Sequence, residues 1–227
     1  MSEQQQSLNQ LLQWSIENSD STRNNNATTT TTTDAPTQQR DPSRGLNSQM
    51  LAELLGGPSD ADRMREAMSA IVAPLSQISL ANKLIAWDNL EQLIEQIDNA
   101  NNMDSMGLWP PLLQQLEHSE PEMRKNAAAC CSTAVQNNVK SQEVLLGSGG
   151  VPRLARLATE DEDAGVRKKA IGALSSEVRN FQPGMDELER SLPEGVWGGK
   201  RRGVDAADME ACDGLMRALR EFSAARG

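Results

Sequence analysis

Tyrosine is absent from this chain of 227 residues, which has only two phenylalanines, one histidine and three cysteines, and each scarcity removes a class of function. With so few aromatic rings, and four scattered tryptophans among them, there is no platform on which single-stranded nucleic acid could stack. A net charge of −10, from 32 acidic against 22 basic residues, opposes non-specific attraction to phosphate backbones or anionic lipid. Cys130, Cys131 and Cys212 are an odd number, and two neighbours in sequence are poorly placed to bridge each other, so a reducing compartment is expected. The lone His118 sits among Glu117, Ser119 and Glu120 at a turn between helices and reads as a solvated residue rather than a general base. Zinc would require more nitrogen and sulfur donors than this region offers. No stretch of about eighteen apolar residues could span a membrane. Residues 1–6 lack the basic-then-apolar pattern of a secretory signal, so the acceptor pattern Asn26-Ala27-Thr28 reads as unused. The expectation is a cytoplasmic protein that is not an enzyme and has no metal site and no cofactor.

What the chain has is helical periodicity. Near the start, Leu8, Leu11, Leu12 and Ile16 recur at helical spacing around Trp14 and predict a short amphipathic arm over residues 1–22. Residues 23–45 follow as a polar tract with an unbroken run from Thr28 to Thr33 and prolines at 36 and 42, too poor in apolar side chains to repay ordering, and read as a flexible linker. From residue 46 to 227 the pattern is helical without strand-like alternation. A short helix over residues 48–55 stops at Gly56-Gly57-Pro58, Asp60 can cap the next, and Leu80, Leu84, Trp87, Leu90, Ile94 and Ile97 mark one continuous apolar face. Cys212, Leu215, Leu219 and Phe222 predict a capping helix over residues 205–222.

Two segments repeat. Pro111-Leu112-Leu113-Gln114-Gln115-Leu116 parallels Pro152-Arg153-Leu154-Ala155-Arg156-Leu157, 41 residues on, and Met123-Arg124-Lys125-Asn126-Ala127 parallels Val166-Arg167-Lys168-Lys169-Ala170, 43 residues on. Each unit reads as a proline-started helix, an acidic turn and a longer helix. Ser119 with Glu122, and Thr159 with Glu162, offer capping pairs for the longer helices, and the acidic run from 160 to 163 suits a helix start. Ala127, Ala128, Ala129, Cys130 and Ala134 keep the first long helix slim enough for close stacking, which gives the two cysteines a packing role. Gly147-Ser148-Gly149-Gly150 has no preceding strand and no Gly-Lys-Ser/Thr ending, so it reads as a turn between units rather than a phosphate loop. Lys200-Arg201-Arg202, three basic residues between glycines, reads as a solvated loop. A period near forty predicts an all-α, armadillo-like helical-repeat solenoid with a disordered N-terminal arm.

Several stretches, in order, resemble one family. They are Leu11-Leu12-Gln13-Trp14-Ser15-Ile16; Gly56-Gly57-Pro58-Ser59-Asp60-Ala61; Met64-Arg65-Glu66-Ala67-Met68; and the run Leu93-Ile94-Glu95-Gln96-Ile97-Asp98-Asn99-Ala100-Asn101. Val135-Gln136-Asn137-Asn138 with Lys140-Ser141-Gln142-Glu143, the Val166 to Ala170 motif, and Asp205-Ala206-Ala207-Asp208 continue the match. Together they are similar to the armadillo-class nucleotide-exchange factors of heat-shock-seventy (DnaK-type) chaperones, especially the short fungal members. The departures are Val139, where the family pattern has proline, and a linker lengthened by threonines.

A short solenoid capped at each end is expected to be monomeric, and the resemblance implies a co-chaperone that holds the chaperone's ATPase domain in a concave face and opens one lobe, so that ADP leaves. Helix phase then nominates the contact residues: Lys125, Asn126, Thr133, Gln136 and Asn137 in the first unit, and Lys168, Lys169, Ser176, Arg179 and Asn180 in the second. The arm residues Leu8, Leu11, Leu12, Trp14 and Ile16 are a separate candidate, for the chaperone's peptide groove. The competing expectation is an armadillo adaptor for an extended peptide of another partner. Such grooves carry tryptophan and asparagine at one-turn spacing, whereas the matching positions here are Ala129 with Thr133 and Gly172 with Ser176.

Overall fold

The apolar spacing becomes ten α-helices in the computed structural model, which describes residues 56–196 and 203–226; among these residues there is no strand. In chain order they are α1 (Asp60–Val72), α2 (Leu80–Ile94), α3 (Ile97–Ser105), α4 (Trp109–Gln114), α5 (Pro121–Val135), α6 (Val139–Gly147), α7 (Gly150–Glu160), α8 (Ala164–Val178), α9 (Gln182–Ser191) and α10 (Met209–Ala224), with a 3-10 turn at Gln115–Glu117 after α4. All belong to one compact unit that begins at Asp60. The arm residues, the linker, the helix expected over residues 48–55 and the basic loop at 200–202 lie outside the described residues.

The repeat has three helices rather than two. A short helix, α3 or α6, precedes each expected pair, giving α3-α4-α5 and α6-α7-α8. The short helices escape an apolar count because much of what they bury is polar: Ser141 and Gln142 beside Leu145 in α6, and Asn99 beside Ala100 and Met103 in α3. The stripe expected to run through Ile97 also divides. α2 stops at Ile94, Gln96 turns extended, and Ile97 opens α3 with 55% of its surface exposed. The Asn99 amide closes the gap by donating to the Leu93 carbonyl at 2.9 Å.

The long helices form the spine. α5 lies along α8, α2 along α5, and α10 along α8. Contacts between early positions (Lys125 near Gly165) and late ones (Ser132 with Ser176) make α5 and α8 parallel, and Glu91 with Thr133 joins α2 to the same ladder. α10 runs the other way, since Ser223 near its end meets Arg167 and Asp213 near its start meets Arg179. Close packing is possible because the touching surfaces are alanines and thiols: Ala127, Ala128, Cys130, Cys131 and Ala134 are fully buried or nearly so, as are Ala170 and Ala173. Burial holds the Cys131 thiol far above its ordinary value, as expected of a packing residue rather than a nucleophile.

One cation per long helix ties each rung to the turn before it. Lys83, Arg124 and Arg167 stand 41 and 43 residues apart. The Lys83 ammonium, 1% exposed, donates to the Ala70 carbonyl at 3.0 Å, to Ile71 at 2.5 Å and to Ala73, closing the end of α1; burial lowers its pKa. Arg124 donates to the carbonyls of His118 and Ser119, both at 2.9 Å, and Arg167 to those of Asp161 and Glu162 at 2.9 and 3.1 Å. Each cation thus supplies donors to several carbonyls left without a helical partner at a helix end or in the turn after it.

Two caps differ from expectation. Ser119 does not cap α5: Arg124 draws its carbonyl inward, and the Glu120 N–H donates instead to His118 Nδ1 at 3.0 Å. α7 continues through Thr159, whose hydroxyl bonds back to Ala155 at 2.8 Å, so Asp163 caps α8 by accepting from the Val166 N–H at 2.9 Å. The glycine turn behaves as read from sequence. Gly149 has φ 69°, which favours glycine, and a Cβ on Gly150 would lie 2.2 Å from Leu145 Cδ1, so the second position has no room for a side chain. The final helix starts later than residue 205, because Asp208 caps it with bonds from the N–H groups of Glu210 and Ala211.

Candidate partner interface

Close stacking of α2, α5 and α8 leaves one row of side chains on each helix outside the core, and these rows carry most of the nominated residues. Lys168 and Lys169 are exposed on α8, and Lys125 is half-buried on α5, its chain against Gly165. The Asn126 amide turns back to the Glu122 carbonyl of its own helix at 2.8 Å, and so holds a fixed orientation. Thr133 donates to Glu91 Oε1 at 3.2 Å, and Ser176 pairs with the Ser132 hydroxyl at 3.1 Å. The row is therefore cross-braced from α2 to α8.

Gln136, Asn137, Arg179 and Asn180 are placed differently from a simple continuation of the helices. α5 ends at Val135 and α8 at Val178; Gln136 and Arg179 are extended, and Asn137 and Asn180 take left-handed backbone, with φ of 53° and 56°. Asparagine tolerates that conformation where other residues rarely do. These four therefore lie on a rim at the helix ends rather than on the helical face. Arg179 is further engaged with α10, through Asp213 Oδ1 at 2.5 Å and Met209 Sδ at 3.4 Å, and with Ser175 Oγ at 3.2 Å. The guanidinium holds the Asp213 carboxyl below its usual range.

The sequence reading missed the rung contributed by α2. Burial raises the pKa of the Cys130 thiol, and beyond burial the charges of Glu91 and Asp88 act on it from α2 and that of Lys169 from α8. Of these groups Glu91 reaches α5 directly, accepting from the Thr133 hydroxyl. Glu91 could have been found by stepping back 42 residues from Thr133, but α2 lacks the proline start and acidic turn that mark the later units. Gln142 has no apolar or charge signal that would single it out in the sequence. It is 2% exposed, and its amide donates to the carbonyls of Ser176, Glu177 and Arg179 at 3.1, 2.8 and 3.4 Å, fixing the rim of α8.

The surface offers amides, hydroxyls and charges on a rigid frame, a surface suited to gripping a folded partner. Among the described residues no three of His, Cys, Asp and Glu are grouped to hold a metal ion, and no helix is long and apolar enough to cross a membrane.

Comparison with known proteins accounts for nearly the whole chain. Residues 8–103 match the family described as nucleotide exchange factor Fes1, and residues 99–188 match the SIL1/FES1/HPBP1 C-terminal domain. The Hsp70 nucleotide exchange factor FES1 of Gibberella zeae is 51% identical over 216 residues, covering 94% of this chain and 95% of that protein. Its counterpart from Coccidioides immitis is 48% identical, with 96% and 98% covered, and fes-1 of Neurospora crassa is 44% identical, with 94% and 96% covered. The chain belongs to the Fes1 family of Hsp70 nucleotide exchange factors.

Proposed function

We propose that this chain is a non-enzymatic co-chaperone that binds the ATPase domain of a cytoplasmic Hsp70 and accelerates ADP release, promoting client release and folding. The observation that carries this reading is the 51% identity over 94% of the chain to a protein named Hsp70 nucleotide exchange factor. The cross-braced ladder supports it. A factor of this kind must bind the nucleotide-free or opened ATPase domain more tightly than the ADP-bound one, and by reciprocity ADP must weaken its binding. A stiff surface can hold a partner in a conformation it seldom visits, whereas a soft one would follow it back.

Lys125, Asn126, Thr133, Lys168, Lys169 and Ser176 form the gripping face in this reading, and Gln136, Asn137, Arg179 and Asn180 its rim. Residues 46–227 are the exchange domain, residues 23–45 a tether, and residues 1–22 an arm whose Leu8, Leu11, Leu12, Trp14 and Ile16 compete with clients for the chaperone's peptide groove.

Stopped-flow release of a fluorescent ADP analogue from a purified fungal Hsp70 ATPase domain tests the proposal. Concentration-dependent acceleration is expected, and it should persist when residues 1–45 are deleted. A folded protein that leaves the rate unchanged would refute it. Replacing Lys168 and Lys169 together by glutamate should slow association about tenfold at low salt, with the difference shrinking as salt is added, because rim charges act mainly on encounter.

A further inference from the structure

The least satisfied group in the described structure is a carboxyl that the gripping face does not use. Glu177 is 0% exposed, and neither carboxyl oxygen has a hydrogen-bond partner. The repeat shows how unusual this is. At the 43-residue offset, Glu177 and Phe181 stand where the preceding unit has Ala134 and Asn138. There the polar side chain is on Asn138, whose amide donates to the Ala134 carbonyl at 3.2 Å and to Ser141 Oγ at 2.8 Å. In the second unit the polarity is exchanged: an aromatic ring occupies the asparagine position, and an acid is enclosed where alanine sufficed.

α9 encloses it. A Cβ on Gly184 would lie 3.2 Å from Glu177 Oε1 and 2.8 Å from Phe181 Cδ1, so glycine is what allows α9 to approach the carboxyl. From α5 the group that faces it is the Cys131 thiol, a neutral packing residue. From α6 it is Gln142, an uncharged amide that bonds the Glu177 main chain. No charged side chain among the described residues perturbs it from α7, α9 or α10, since burial alone shifts it; Arg179, two positions on, is directed to Ser175 and Asp213. An isolated carboxylate in such a site is costly, whereas the neutral acid is far less so.

We propose that Glu177 is a proton-carrying latch: protonated, it lets α9 close on the end of α8, and ionised, it loosens that end and with it the face residue Ser176 and the rim residues Arg179 and Asn180. The effect on grip rests on the exchange-factor reading; the effect on the fold does not.

Burial pushes the Glu177 carboxyl from its ordinary 4.5 up to about 8. Between those values the folded chain keeps a proton that the unfolded chain has released. Stability contributed by the neutral acid is therefore fully present below pH 4.5, is lost as pH rises toward about 8, and changes no further above that. Within the window the folding equilibrium constant falls about tenfold per pH unit.

Urea unfolding of the full chain at pH 5.5, 6.5, 7.5 and 8.5 tests this, with Glu177→Gln and Glu177→Ala alongside. Glutamine keeps the shape without a titratable proton, and alanine restores the residue of the preceding unit, so either variant serves if the other folds poorly. The wild type is expected to lose about tenfold in folding constant per unit up to pH 7.5 relative to both variants. Parallel pH profiles would overturn the latch. A second measurement follows the lifetime of the complex with an Hsp70 ATPase domain at pH 6.5 and 8.5. The wild-type complex should dissociate faster at the higher pH and the Glu177→Gln complex should not; equal ratios would overturn the coupling to grip. If the wild type failed to bind the ATPase domain at all, the exchange-factor reading would fall while the unfolding series still judged the latch.

Discussion

The two three-helix units use the same guanidinium for different attachments. In the first, Arg124 clamps Asp161 of the next unit with two bonds, Nε to Oδ2 at 2.7 Å and Nη2 to Oδ1 at 2.8 Å, besides holding two carbonyls of its own turn. In the second, the Nε of Arg167 meets the Ser223 hydroxyl of the reversed helix α10 at 3.0 Å. The internal boundary can accommodate a carboxylate because the next unit repeats the acidic turn and so supplies Asp161 in register. α10 is not a repeat, and its Ser223 supplies a hydroxyl at that place. Pairing between units is thus written into the repeat, while the cap is fitted to it afterwards.

Arg124→Ala should break the comparison most severely. Both partners are mostly buried, with side-chain exposures of 16% and 4%, and removing one leaves the other charge uncompensated. A loss of about 3–5 kcal/mol is expected in urea unfolding. The hydrogen bond to Asp161 raises the Arg124 pKa. Burial acts against ionisation of Asp161, but the bonds from Arg124 and the Asp163 amide outweigh it and keep its carboxyl below the ordinary value. The pair's contribution is therefore present above about pH 4 and lost as pH falls through the folded value, so the gap between variant and wild type should narrow in acid.

Gly184→Ala probes the other divergence, the crowded end of α8. The added methyl meets Phe181 and Glu177 at distances that require a shift, and overpacking of this kind costs about 1–3 kcal/mol. The first unit has Ser141 at the matching position, where Asn138 leaves room for a side chain and bonds it. An unaffected Gly184→Ala protein would show that the two ends are equally accommodating.

Much of the ladder was legible because its signals are local and additive: the proline starts, the paired basic motifs 43 residues apart and the small residues of α5. The short helices were not, because Asn99, Ser141 and Gln142 are buried for their hydrogen bonds, and burial of that kind leaves no apolar period. The candidate face was legible by phase only as far as the helices run. Gln136, Asn137, Arg179 and Asn180 are past the helix ends, where a positive φ at each asparagine turns the chain out of register. The rung from α2 was hidden because Lys83 stands where the later units have arginine, and no acidic turn precedes it. Glu177 gave no signal at all, since a glutamate in an otherwise small-residue helix reads as solvent-facing until the enclosing α9 is seen.

Ser223→Ala should cost about 1–2 kcal/mol, less than Arg124→Ala, because it removes a neutral acceptor from one guanidinium N–H and leaves the carbonyls of Asp161 and Glu162 in place. An effect as large as that of Arg124→Ala would mean that the cap is held as tightly as the internal boundary.

The smallest effects are expected where the two units agree. Asn137 and Asn180 share the left-handed turn, and each is exposed, so neither loses packing on truncation. Alanine at either position faces the clash of its Cβ with the following carbonyl, about 1 kcal/mol after allowance for asparagine's own partial strain, whereas glycine escapes the clash but gives a more flexible unfolded chain, leaving it near neutral. Thermal unfolding of Asn137→Ala, Asn180→Ala and the two glycine variants should therefore give two matched pairs. The main-chain N–H of Asn180 donates to the Ala206 carbonyl at 2.9 Å, a bond that ties this turn to the segment leading into α10 and that has no counterpart among the main-chain bonds of Asn137. If Asn180→Ala cost clearly more than Asn137→Ala while the glycine variants stayed equal, the excess would measure how far turn geometry controls that bond. Equal losses would show that the cap tolerates a strained turn as readily as the internal repeat does.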